Sequence, residues 1–156
     1  MTREAQTKDL LKVCELFKGL AKHLSKIGAP IFAEDENDLT AGMLEYLVLA
    51  MNDPDSIVLV EEIEGGEVVA ALAGSIKQRP KFLRNPFVAE VTLLYPASFQ
   101  TQRLRGTFDK WAISKGATAR TALCPPQNEV ALKAMERDGM KVSSSFLVKP
   151  YSEQRA

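Results

Sequence analysis

The chain has 156 residues, 46% apolar and 26% charged, which suits one globular domain with room for a substantial core. Lys+Arg and Asp+Glu balance at 20 each, so no net field favours a nucleic acid or an acidic membrane surface, and neither is expected as a partner. Two distant cysteines, Cys14 and Cys124, and a single histidine, His23, argue against a zinc centre, and no metal is expected. No stretch reaches the ~18 apolar residues that span a bilayer, and MTREAQTKDLL lacks a signal-peptide layout. A cytoplasmic protein is the expectation.

Residues 8–24 predict an amphipathic helix, with Leu10, Cys14, Phe17, Leu20, Ala21 and Leu24 on one face. Gly28 and Pro30 end it and open a polar connection with the acidic run Glu34–Asp38. A second helix is expected at 39–52, striped by Leu44, Leu47, Val48 and Met51. Strand character follows at 56–63 and 67–76, joined by Glu64-Gly65-Gly66-Glu67, whose glycines accept the positive φ of a tight hairpin turn. Residues 77–85 form a basic connection with Lys77, Arg79, Lys81 and Arg84, and a third strand at 86–95 is closed by Pro96. A helix at 99–115 carries Leu104, Phe108, Trp111 and Ala112 at helical spacing and stops at Gly116. A strand at 118–124 breaks at Pro125-Pro126, a short helix occupies 128–138, and a last strand is expected at 141–149. With a very short strand at 1–4, the order predicts an α+β domain: a mixed, mostly antiparallel central sheet flanked by helices. Residues 1–150 make that single domain and 151–156 a frayed tail.

Four segments, TREAQTKDLLKV, IVLVEEIEGGEVVAALAG, FDKWAISKGA and NEVALKAMERDGM, together resemble the GNAT family of acetyl-CoA-dependent N-acetyltransferases in order and spacing. The last is similar to the family's closing Asn-x-x-Ala-x-x-x-Tyr-x-x-x-Gly-Phe pattern through Asn128, Ala131, Gly139 and Met140, with Met135 in place of the tyrosine. The resemblance implies an acyl-CoA N-acyltransferase-like fold and acetyl-CoA as cosubstrate. The acceptor it implies is a primary amine of a small molecule or protein. It also implies that the backbone of Thr92, Leu93 and Leu94 holds the pantetheine arm and that Asn128 contacts it.

Two departures from the family pattern bear on function. The family's phosphate loop, Arg/Gln-x-x-Gly-x-Gly/Ala, falls at Phe99, Gln102 and Leu104 when counted from Pro96, and in a different register when counted back from Trp111 and Gly116. Both registers stay open. Gln100, Thr101 and Gln102 are then the polar contacts to the cofactor and Arg103 and Arg105 its charge, around the lone Gly106, or all of them are the exposed face of a helix. Met135 has no proton to give a leaving thiolate, so Tyr95 and Tyr46 are the substitute donors.

Glu90 stands among apolar neighbours, where an unpaired carboxylate is costly, and is the general-base candidate; alternation also allows it to face outward. Asn128 suits either a pantetheine amide or a helix N-cap. Cys124 reads as a buried inert thiol and His23 as a surface residue. The acidic run attracts a cationic amine or is solvated, and the basic connection receives an adenosine phosphate or is plain surface. An N-acetyltransferase is thus set against a catalytically inactive GNAT-like binding or interaction module, with a homodimer left open.

Overall fold

In the computed structural model, which describes residues 1–98, 101–145 and 147–151, five strands form one sheet in strict sequence order. β1 (Thr2–Glu4), β2 (Ser56–Glu62), β3 (Val68–Gln78) and β4 (Phe87–Tyr95) are antiparallel neighbours, and β5 (Ala119–Ala122) lies parallel to β4. A parallel pair needs a crossover, here through α3 (Gln102–Ser114). α1 (Leu10–Lys26) and α2 (Glu36–Met51) cover one face, packing Val13, Phe17 and Leu47 on Val58, Val60 and Ala71. α3 and α4 (Glu129–Arg137) cover the other, where Leu104, Phe108 and Met135 meet Ile57, Leu59 and Leu72. Successive β2 residues point to opposite faces, and Ile57 to Val60 are all buried because both faces are covered. This is the mixed, mostly antiparallel sheet expected from the sequence.

The first helix starts later than its apolar stripe suggests, because Thr7–Asp9 is a 3-10 turn. Asp9 is held there by a two-pronged bond from Arg3 on β1, at 2.7 and 3.1 Å, and by the Gln6 N–H at 2.8 Å. Arg3 also donates to Glu62 on β2 at 2.6 Å, so one guanidinium ties the first strand, the second strand and the start of α1. The second helix instead starts early, at Glu36, and absorbs much of the acidic run. Asp35 caps it by accepting from the Asp38 N–H at 2.9 Å, and Glu36 and Asp38 sit in its first turn, where the helix dipole favours carboxylates. Glu36 also pairs with Lys18 of α1 at 2.9 Å.

The strand expected at 141–149 does not form: its described residues carry no ladder and are exposed, Leu147 at 90%. Alternation gives a segment two faces but no neighbour, and without a paired edge an extended run is not a strand.

Gly74 on β3 has no room for a side chain. A Cβ there would stand 2.5 Å from the Glu90 carbonyl oxygen and 2.6 Å from the Phe108 ring. Gly74→Ala is expected to cost about 1–3 kcal/mol by overpacking. Gly42→Ala, on α2 where a Cβ meets nothing within 4 Å, should gain about 0.5–1 kcal/mol. Urea unfolding of both variants checks the pair; equal stabilities would contradict this packing.

Candidate active site

β3 and β4 fall out of step at the residues that frame the site. Gly74 is opposite Val91 and Ala73 opposite Leu93, so Thr92 is an extra residue, a bulge in β4. The β4–β5 ladder ends at the same level, with Val91 against Ala122. From Leu93 to Tyr95, β4 is paired only on its β3 side, and from Thr92 onward no ladder among the described residues occupies its other edge. Beyond β5 the chain turns away through Leu123, Cys124 and Pro125. The gap opens onto a cleft. Thr92, Leu94, Cys124, Asn128 and Met135 line it from the sheet and α4, with Leu20, Leu24, Ile31 and Phe32 from α1 and the connection after it.

Glu90 lies two residues before the bulge, half-buried, opposite Ser75 of β3 and beside Thr121 of β5. Its neighbours Ala89 and Val91 are buried in the α3 face, so its side chain takes the other face, as alternation requires. Tyr46 of α2 approaches from that side. Its hydroxyl is buried without a hydrogen bond of good geometry. Burial raises its pKa, Thr92 acts against that and Glu90 adds to it, so the three groups lie together. Tyr95 is placed differently: its ring packs on α1 so closely that a Cβ on Gly19 would come within 2.9 Å. Leu93 and Leu94 are buried and Thr92 is exposed. Any ligand contact by the two leucines is therefore through backbone or the apolar wall.

Where phosphate contacts were expected, the loop before α3 is braced from inside. The Thr101 hydroxyl lies 2.9 Å from the carbonyl oxygens of both Pro96 and Ser98, and accepts from the Ser98 N–H at 3.2 Å. Arg105 does not face outward: 1% exposed, it donates to the Ser98 carbonyl at 2.7 Å and to Asp138 after α4 at 2.5 Å. Arg120 of β5 reaches the same Asp138 oxygen at 2.8 Å and lies 3.5 Å from Asp109. Burial pushes the Asp138 carboxyl up, but the two guanidiniums outweigh this and hold it below the usual range. Asp109 goes the other way, raised by burial more than Arg120 lowers it. Gln102 and Arg103 remain exposed on the first turn of α3, whose leading N–H groups have no partner within the helix. Phe99 and Gln100 lie outside the described residues.

Asn128 is buried at the foot of α4, but its side chain makes no cap bond. It meets His23 instead, Oδ1 to Nε2 at 3.3 Å, so the histidine expected at the surface is half-buried beside the cleft. Cys124 lies 3.7 and 3.8 Å from the carbonyl oxygens of Pro125 and Asn128, and burial pushes its thiol up, away from reactivity. The described residues hold no cluster of His, Cys, Asp and Glu fit for a metal ion. No described helix is long and apolar enough to cross a membrane.

From the sequence, Arg105 and His23 both read as outward-facing, and for Arg105 a signal to the contrary is present. Arg105 sits at helical spacing with Thr101, Phe108 and Ala112, on the buried stripe. His23 stands between Leu20 and Leu24, which both line the cleft.

An open sheet bulged in its fourth strand and parting from its fifth, with two helices on each face, defines the GNAT acyltransferase fold, and the comparisons agree. A mutant of the BH1408 protein from Bacillus halodurans superposes with a TM-score of 0.81 at 18% identity, over 97% of this chain and 99% of that one. The aminoglycoside 6'-N-acetyltransferase AAC(6')-IG from Acinetobacter haemolyticus gives 0.73 at 14%, over 97% and 98%. AAC(6')-Iy, in complex with the bisubstrate analog CoA-S-monomethyl-acetylneamine, gives 0.72 at 12%, over 97% of each chain. No family model matches the sequence, and no curated protein does. At these identities the likeness establishes the fold.

The Arg105–Asp138–Arg120 bridge makes stability depend on pH. A carboxyl held below its unfolded value stabilises the fold fully above about pH 4 and loses that contribution as the pH falls through its folded value. Asp138→Asn should cost about 3 kcal/mol at pH 7, since it leaves a buried guanidinium underpaired, and should flatten the decline in stability between neutral and acid pH. Chemical denaturation as a function of pH measures both, and parallel profiles for the two proteins would contradict the bridge.

Proposed function

We propose that the chain is an acetyl-CoA-dependent N-acetyltransferase acting on a primary amine of a small molecule or protein. The observation that carries this reading is the open edge of β4 from Thr92 to Tyr95 facing the cleft. An extended amide-bearing chain adds to such an edge by main-chain hydrogen bonds, and a pantetheine arm has that chemistry. The pyrophosphate end then falls at the start of α3, where free helical N–H groups favour anions and Gln102 and Arg103 stand exposed. Arg105 braces that loop from beneath and does not touch the ligand. Thr101 has its hydroxyl on the Pro96 and Ser98 carbonyls and its N–H on the Ser98 carbonyl at 3.2 Å, so it too braces the loop and leaves the ligand to Gln102 and Arg103.

The reaction needs a neutral amine, a thioester carbonyl held in place and a route for two protons. The amine lone pair attacks the acetyl carbonyl carbon, the C–S bond breaks, and the CoA thiolate leaves. Glu90 takes the amine proton through a water molecule. A hydroxyl returns a proton to the thiolate. Of the two tyrosines named for that step, Tyr46 lies with Thr92 and Glu90, whereas Tyr95 is packed on Gly19. The acidic residues at the start of α2 favour a cationic amine. The neighbours described as aminoglycoside acetyltransferases fit an amine acceptor.

One observation favours a second reading, an inactive binding module. Met135, at the place of the family tyrosine, lines the cleft with a thioether that has no proton to donate. Calorimetry and turnover separate the two. We expect acetyl-CoA to bind with a dissociation constant below about 1 mM and to release thiol in the presence of a suitable amine. Glu90→Gln should bind acetyl-CoA normally and lose about 10²-fold in kcat. Binding with no turnover across a broad amine panel supports the module; no binding of acetyl-CoA or CoA at millimolar concentration eliminates the acetyltransferase.

A further inference from the structure

α1 and α4 pack on opposite faces of the sheet, yet one side-chain bond joins them. His23 Nε2 lies 3.3 Å from Asn128 Oδ1, between residues 105 apart in sequence. The bond lies where β4 and β5 have parted, between the α1 wall of Leu20 and Leu24 and the α4 wall that begins at Asn128. A carboxamide oxygen only accepts, so a hydrogen bond between these two atoms requires the His23 proton on Nε2. The backbone of Asn128 is otherwise engaged. Its N–H donates to the Pro125 carbonyl at 2.9 Å, and its C=O accepts from the Leu132 N–H at 3.0 Å. With the side-chain oxygen turned to α1 and no cap bond at α4, the group left to Asn128 in the cleft is its NH2.

We infer that His23 is a positioning residue: it fixes which way round the Asn128 amide stands and makes Asn128 a dedicated donor. At this point the cleft therefore recognises a carbonyl oxygen on its ligand rather than an N–H. Taken with the thioester reading, on which this part rests, the donor selects an amide or thioester carbonyl of the acyl-pantetheine arm. An unpinned asparagine turns its oxygen or its nitrogen to the ligand with equal ease, and a ligand carrying both C=O and N–H groups loses its register along β4.

The chain's single histidine makes this testable. In protein labelled with ¹⁵N-histidine, at about pH 8 where an ordinary imidazole is neutral, two-bond ¹H–¹⁵N spectra give the tautomer without any ligand. We expect Nε2 protonated in the native protein, with resonances that move in Asn128→Ala. A ring protonated on Nδ1, or resonances indifferent to Asn128→Ala, would overturn the pinning. The second arm is calorimetry with CoA. His23→Ala should weaken binding about 3- to 10-fold, and His23→Gln, which keeps an N–H donor, should restore it to within about twofold. Equal losses in the two variants would overturn the donor role. If native protein binds no CoA, the acetyltransferase reading fails, while the tautomer spectra still decide the His23–Asn128 geometry.

Discussion

Beyond Val91 and Ala122, β4 and β5 stop pairing, and the candidate site of this molecule depends on that parting. A sheet buried on both faces has no natural opening, because ladders close it along its width and helices close it above and below. Here the extra residue at Thr92 shifts the β4 register against β3, and the lack of a Gly74 side chain lets the Phe108 ring and the Glu90 carbonyl close over that point. The bulge changes the aim of β4 while its β3 partner is kept as far as Tyr95. The backbone edge left over from this is the surface along which the proposed acyl-CoA would lie, and main-chain pairing there needs no particular side chain.

The second constraint is electrostatic. The loop leading into α3 is not shaped by a run of glycines but held from within by Arg105, which links the Ser98 carbonyl to Asp138 beyond α4. Arg120 joins the same carboxylate from β5. One half-buried carboxylate thus couples the loop, the crossover helix, the last strand and the last helix. Removing one member of such a cluster is costly because it strands the others away from water. The same logic operates at the opposite edge of the sheet, where Arg3 ties Asp9 and Glu62.

Much of this was legible in the sequence. Each helix was visible because its apolar residues recur at helical spacing, and the β2–β3 hairpin because Gly65 and Gly66 adopt positive φ, at 98° and 87°. The ends were less legible, since they depend on particular side-chain bonds: Asp9 to Arg3, and Asp35 to the Asp38 N–H of its own first turn. The segment at 141–149 misled, because alternation specifies faces and says nothing of a neighbouring edge. Glu90, Thr92 and Asn128 were named from the sequence by residue type and order, and the fold sets them about the candidate cleft. Arg105 was misread as an outward charge although its spacing put it on the buried stripe, because a buried arginine makes sense only once Asp138 is known to lie beside it. His23 was hidden for the same reason: nothing local reveals a partner 105 residues away.

The central claim is that an acyl-CoA lies along the open edge of β4. Backbone amide spectra of ¹⁵N-labelled protein titrated with CoA test it directly. The account predicts shifts concentrated at Thr92, Leu93 and Leu94, at Gln102 and Arg103 on α3, and at Leu123 and Asn128 across the cleft. Saturable shifts that leave Thr92–Leu94 untouched, or no shifts at millimolar CoA, would contradict it.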